Sequence, residues 1–210
     1  MAELIYKAIG DSLTKGVGTF FSKGFVGKYA QHVMDNLHHP IRTEIIGTNK
    51  IMSRDLLYQI QDEPIQLRLM TGNIFTITIG GNDLLNANKI FNETLNPMIF
   101  EESYYEFKDN MTNIIREIEY IKSFYPSPYF IRLIGLYNPF PQVKYTHYWV
   151  NRFNEFLQSF HSNHIKYVHI YTPFLLFGDQ LICFDKIHPN RYGYQLIADE
   201  TARLGFYPFK

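Results

Sequence analysis

Residues 4–12 read Leu4-Ile5-Tyr6-Lys7-Ala8-Ile9-Gly10-Asp11-Ser12. A short, mostly apolar run broken at once by Gly-Asp-Ser is the pattern of a strand that ends in a tight turn. Phe20, Phe21, Phe25, Tyr29 and Val33 then recur near helical spacing and predict a helix over about residues 19–37. Strand, polar turn and helix form one βα unit, and the unit repeats along the chain. Further strands are predicted at residues 43–46, 74–79, 129–134 and 166–171. Further helices are predicted at 53–61, 101–124, 145–163 and 189–203, the last with Pro189 near its first turn. Five strands alternating with helices predict an α/β fold, a three-layer α/β/α sandwich around a five-stranded parallel sheet. No linker, repeat or charge run interrupts the order, and 210 residues suit one buried core, so a single domain over residues 1–210 is expected.

Twenty Lys and Arg balance twenty Asp and Glu, which removes the broad basic face that a nucleic-acid partner requires. Eighteen Phe, sixteen Tyr and one Trp carry too much apolar area for a disordered chain. Most of the aromatic stretches, among them Phe20-Phe21, Tyr104-Tyr105 and Phe206-Tyr207-Pro208-Phe209, are expected in the core. The single cysteine, Cys183, forbids an internal disulfide and a Cys-based zinc cluster, and reads as packing. His38-His39 and the pair His161 and His164, at helical spacing, lack supporting ligands and are expected as surface histidines, so no metal and no cofactor are anticipated. No apolar run approaches the roughly 18 residues of a spanning helix, and no signal peptide is recognised. The chain as given is expected to be a cytoplasmic monomer, with export or a membrane anchor open if the natural N-terminus extends beyond Met1.

Ligands of parallel sheets collect at the carboxyl ends of the strands. There the first three strands end in Gly10-Asp11-Ser12, Gly47-Thr48-Asn49 and Gly80-Gly81-Asn82-Asp83. Ser12 would sit at the start of a helix with backbone N–H groups around it, which suits a nucleophile that generates an oxyanion. A plain helix cap is the alternative. In Asp185-Lys186-Ile187-His188-Pro189-Asn190 a carboxylate stands three residues before a histidine, close enough to fix the tautomer that accepts a serine proton. A surface histidine with Asp185 as an N-cap is the competing reading. Asn82, beside two glycines, offers an amide donor, although Gly-Asn-Asp is also an ordinary turn composition.

Taken together, Gly10-Asp11-Ser12-Leu13, Gly81-Asn82-Asp83 and Asp185-x-x-His188-Pro189-Asn190 resemble blocks I, III and V of the GDSL, or SGNH, hydrolase family. The likeness continues through Tyr6-Lys7-Ala8-Ile9, Gly135-Leu136-Tyr137-Asn138-Pro139-Phe140 and Arg191-Tyr192-Gly193-Tyr194, in the manner of the bacterial lysophospholipase-like branch. The resemblance implies a flavodoxin-like fold and metal-independent ester hydrolysis through an acyl-enzyme. It makes Ser12 the nucleophile, His188 the base and then acid, Asp185 its orienting partner, and the Ser12 N–H and Asn82 amide oxyanion donors.

Block II departs from the family pattern. Aligning Ser53-Arg54-Asp55-Leu56-Leu57 without a gap puts Gly47 on the first glycine of the block and Lys50 on the second, which normally donates to the oxyanion. Gly47 is expected to take that part by a small shift, with the Lys50 N–H as the alternative.

Asp11, Asp83, Leu84, Tyr137 and Phe140 are expected at the substrate. Residues 84–98, 136–143 and 173–184 are the expected walls, and their apolar content favours a small-molecule ester with a hydrophobic acyl group. Lysophospholipids and thioesters are among the substrates that the resemblance implies. Two competing readings are a weakened SGNH-fold module that binds a lipid or acylated carbohydrate without turnover, and a flavodoxin-like flavin or nucleotide binder. The latter lacks a phosphate-cradling loop, because Gly16-Val17-Gly18 carries no full dinucleotide fingerprint.

Overall fold

The computed structural model describes residues 3–19 and 23–210. Five strands, β1 (Leu4–Gly10), β2 (Ile41–Gly47), β3 (Ile74–Thr78), β4 (Phe130–Ile134) and β5 (Ile165–Val168), form one parallel sheet in the order β2-β1-β3-β4-β5. This is the flavodoxin-like order, in which successive connections reverse direction between β1 and β3. Alternation along the strands feeds two cores. Ile9, Phe75, Ile77, Ile131 and Leu133 face one side, with α3 (Ser53–Gln61), α6 (Met98–Ser123) and α7 (Lys144–Gln158) packed over them. Tyr6, Ala8, Ile74, Phe130 and Val168 face the other, under α2 (Phe25–Leu37) and α9 (Arg191–Arg203).

The shorter elements differ from expectation. The residues after Ser12 form a one-turn helix, α1 (Ser12–Lys15), closed by Gly16, and α2 begins only at Phe25. Phe20 and Phe21 lie outside the described residues. A helix unforeseen in the sequence, α4 (Glu63–Met70), carries Pro64 in its first turn, and another, α8 (Tyr171–Phe177), runs into the segment expected as the third wall. Residues 81–94, expected as a turn that leads into a cavity wall, are helix α5 (Gly81–Thr94). His161 and His164 lie beyond the end of α7, and His164 bonds Glu119. No helix among the described residues is long and apolar enough to cross a membrane.

Candidate active site

Gly10 lets β1 run close against β3. Its φ is 137°, and a Cβ there would lie 2.0 Å from the Thr78 carbonyl oxygen. Asp11 then caps α1, its Oδ1 accepting from the Leu13 N–H at 3.0 Å and the Thr78 hydroxyl at 2.8 Å. The Thr14 hydroxyl bonds that of Thr78 at 2.8 Å and the Ile9 carbonyl at 3.1 Å. This buried lattice fixes the turn that presents Ser12. Burial pushes the Asp11 carboxyl up to about 6, against the pull of the Thr78 hydroxyl and Leu13 N–H.

The segment before α9 is equally constrained. Ile182 and Pro189 form an antiparallel bridge, and the Cys183 N–H donates to the His188 carbonyl at 2.8 Å. Asn190 caps α9 by accepting from the N–H groups of Tyr192 and Gly193, so Pro189 stands just before the helix rather than within its first turn. His188 Nδ1 lies 2.5 Å from Asp185 Oδ2, and His188 Nε2 lies 2.9 Å from Ser12 Oγ. An ionised carboxylate only accepts, so Nδ1 carries the proton and Nε2 is left to accept from the serine hydroxyl.

Asp185 Oδ1 accepts from the N–H groups of Ile187 and His188, both at 2.9 Å, and from the Cys183 thiol at 3.1 Å. Burial alone would raise the Asp185 carboxyl, but the His188 ring and these N–H donors hold it well below the usual carboxylate range. Two tyrosines brace the loops. The Tyr137 hydroxyl donates to the Ile187 carbonyl at 2.6 Å, and the Tyr194 hydroxyl donates to the Val17 carbonyl at 2.6 Å.

Asn82 and Asp83 lie in the first turn of α5 and clasp the segment that follows β2. The Asn82 amide donates to the Ile51 carbonyl at 2.9 Å, and its second hydrogen has no acceptor among the described residues. Asp83 turns away from the cavity, contrary to its expected place at the substrate. It is buried, and accepts from the Ser53 hydroxyl at 2.5 Å and the Ser53 N–H at 3.1 Å, while Asn110 donates to the same hydroxyl at 3.0 Å. Burial lifts its carboxyl to about 6 despite these Ser53 donors.

Gly47 likewise does not line the cavity. It ends β2 in register with Gly10, so close that a Cβ would lie 2.6 Å from the Gly10 carbonyl oxygen. Lys50 does line it, at the third position of a turn closed by the Ile51 N–H to the Thr48 carbonyl, with a left-handed φ of 63°. Among the described residues the Lys50 and Ser12 N–H groups have no protein acceptor.

A cavity of about 430 Å³, ordinary for a small-molecule site, opens beside Ser12 and His188. Asp11, Leu84, Tyr137 and Phe140 line it as expected, although the Asp11 carboxylate is already bonded within the turn and the Tyr137 hydroxyl to Ile187. The expected third wall does not contribute. None of residues 173–184 reaches the cavity, and Leu176, Phe177 and Phe184 are instead exposed. Phe100, Trp149 and Val150 take that place from α6 and α7. The helix that carries Trp149 and Val150 was predicted from the sequence, over residues 145–163, but nothing there distinguished cavity lining from core. Cys183 is partly buried, with its thiol held up by burial. Among the described residues no group of three or more His, Cys, Asp and Glu could hold a metal ion.

Comparison with known proteins adds relatives to this geometry. The profile of the GDSL-like lipase/acylhydrolase family matches residues 8–196. The spore germination lipase LipC of Bacillus licheniformis is 28% identical over 205 residues, spanning 97% of each chain. The crystal structure of the lipase Lip_vut3 from a goat rumen metagenome superposes with a TM-score of 0.94 at 28% identity, covering 99% of this chain and 100% of that one. A catalytic mutant of the acetylxylan esterase Axe2 from Geobacillus stearothermophilus shares the fold, with a TM-score of 0.74 at 16% identity over 97% and 94% of the two chains.

Proposed function

Since the chain belongs to the GDSL-like lipase/acylhydrolase family and is a carboxylic ester hydrolase, we propose that it works through an acyl-enzyme on Ser12. The observation that carries this reading is the continuous hydrogen-bond chain from Ser12 Oγ through His188 to Asp185, at 2.9 and 2.5 Å. Ser12 Oγ attacks the ester carbonyl as His188 Nε2 takes its proton, and Asp185 stabilises the imidazolium that results. The tetrahedral oxyanion is received by the N–H groups of Ser12 and Lys50 and by the free hydrogen of the Asn82 amide. Collapse expels the alcohol, protonated by His188, and a water activated by the same ring then releases the acid. Lys50 takes the donor part in place of Gly47, because it borders the cavity with an unspent N–H.

The substrate is an ester with a hydrophobic acyl group, which the apolar walls of Leu84, Leu85, Phe100, Trp149 and Val150 would accept. The test compares initial rates on p-nitrophenyl esters of increasing acyl length for wild type and Ser12→Ala, alongside labelling by a fluorophosphonate. Cleavage and labelling that both vanish in the variant are expected. A folded wild type that neither cleaves nor labels would instead favour a binding module without turnover.

A further inference from the structure

Four residues other than glycine adopt a left-handed φ among those described: His38, Lys50, Leu95 and Lys186. His38 and Leu95 close α2 and α5, where that conformation is common. Lys186 lies in the Asp185–His188 turn and pairs with Asp179 at 3.6 Å. Lys50 has neither explanation. It occupies the turn position that ordinarily selects glycine, and a side chain there costs free energy that glycine would avoid. Backbone strain at a site is grounds for seeking what the side chain contributes.

The surroundings of Lys50 indicate what that contribution is. The side chain is exposed, borders the cavity that holds Ser12 and Asn82, and has no carboxylate partner among the described residues. The acid that lines the cavity, Asp11, is buried and committed to Thr78 and Leu13. With the apolar walls taking the acyl chain, the mouth of the cavity meets the alcohol half, which must reach solvent to depart. An unpaired ammonium on a flexible stem at that mouth attracts negative charge.

We propose that Lys50 is a specificity residue whose ammonium binds a negatively charged group on the alcohol side of the ester, while its backbone N–H serves the oxyanion. The inference rests on the esterase reading above. It separates the side chain of Lys50 from its backbone, and Lys50→Gly does the same experimentally, since glycine keeps the N–H and fits the turn.

The experiment measures kcat/KM of wild type, Lys50→Gly and Lys50→Arg on a matched pair, 1-decanoyl glycerol and 1-decanoyl glycerol 3-phosphate. A second pair, p-nitrophenyl butyrate and p-nitrophenyl hemisuccinate, carries the charge on the acyl side instead. Lys50→Gly is expected to lose about three- to fivefold more activity on the phosphate ester than on the uncharged glyceride, the upper part of the range for an exposed charge contact. Lys50→Arg should restore that activity, and 1 M salt should erase the difference. Equal changes on both glycerides, or a loss confined to the hemisuccinate, would overturn the proposal and leave the esterase intact. Absence of cleavage and of Ser12 labelling in the folded wild type would overturn the esterase reading with it.

Discussion

Asn82 holds one amide hydrogen on the Ile51 carbonyl, so its other hydrogen is aimed before any substrate arrives. Donors fixed in advance act on the transition state more than on the bound substrate. Asn82→Ala is therefore expected to lower kcat by about 10²- to 10³-fold with a smaller change in KM, measured at steady state on the preferred p-nitrophenyl ester. Asp185→Asn removes the acceptor that fixes the His188 tautomer, and a fall in kcat of about 10⁴-fold is expected with circular dichroism unchanged. Ser12, Asn82, Asp185 and His188 were legible in the sequence because short fixed spacings carry them. Lys50, which borders the cavity in a left-handed conformation, was only the alternative there, because the family pattern of block II expects a glycine and a small shift supplied Gly47. Which residue of a turn adopts that conformation is decided by contacts across the sheet, here the approach of Gly47 to Gly10.

The joint between α3 and α5 is built on a buried carboxylate, Asp83, gripped by Ser53. Burial holds its carboxyl at about 6, above its value in an unfolded chain, so the folded protein binds this proton more tightly. The stabilisation that follows is fully present below about pH 4 and disappears as the pH rises through 6. Asp83→Asn should accordingly destabilise the protein more at pH 4.5 than at pH 7, by on the order of 2 kcal/mol, in urea unfolding at the two values. A difference that does not vary with pH would show that this carboxyl does not titrate in that range.

At this scale the long elements were legible and the short ones were not. The 26-residue α6 announces itself by sustained periodicity. The start of α5 reads as a turn, because Gly80-Gly81-Asn82-Asp83 has turn composition and only packing against α6 and the Ser53 clasp makes it helical. Pro64, elsewhere a sign of interruption, opens α4 because the first turn of a helix needs no N–H from it.

Across the whole molecule, the two cores are closed by chain segments distant in sequence. Phe206 stacks on Tyr29 of α2, Phe209 meets Phe130 of β4 edge to face, and the Gly205 carbonyl accepts from the buried Arg132. Phe206→Ala is expected to cost about 3 kcal/mol and to lower Tm by roughly 6–12 °C, read by calorimetry, without altering the acyl-length preference. The alternation of strands and helices made the sandwich legible, whereas the dependence of α2 and β4 on residues 205–209 arises from contacts that no local pattern encodes.

The hydrogen bond between Ser12 and His188 spans 176 positions of the chain. The nucleophile and its base thus come from opposite ends of the sheet's chain path, and a folding intermediate that has formed the β1 turn alone holds a serine with no base beside it. On the proposed mechanism, ester cleavage requires the segment before α9 to have docked beside Ser12, which makes it a direct gauge of finished folding.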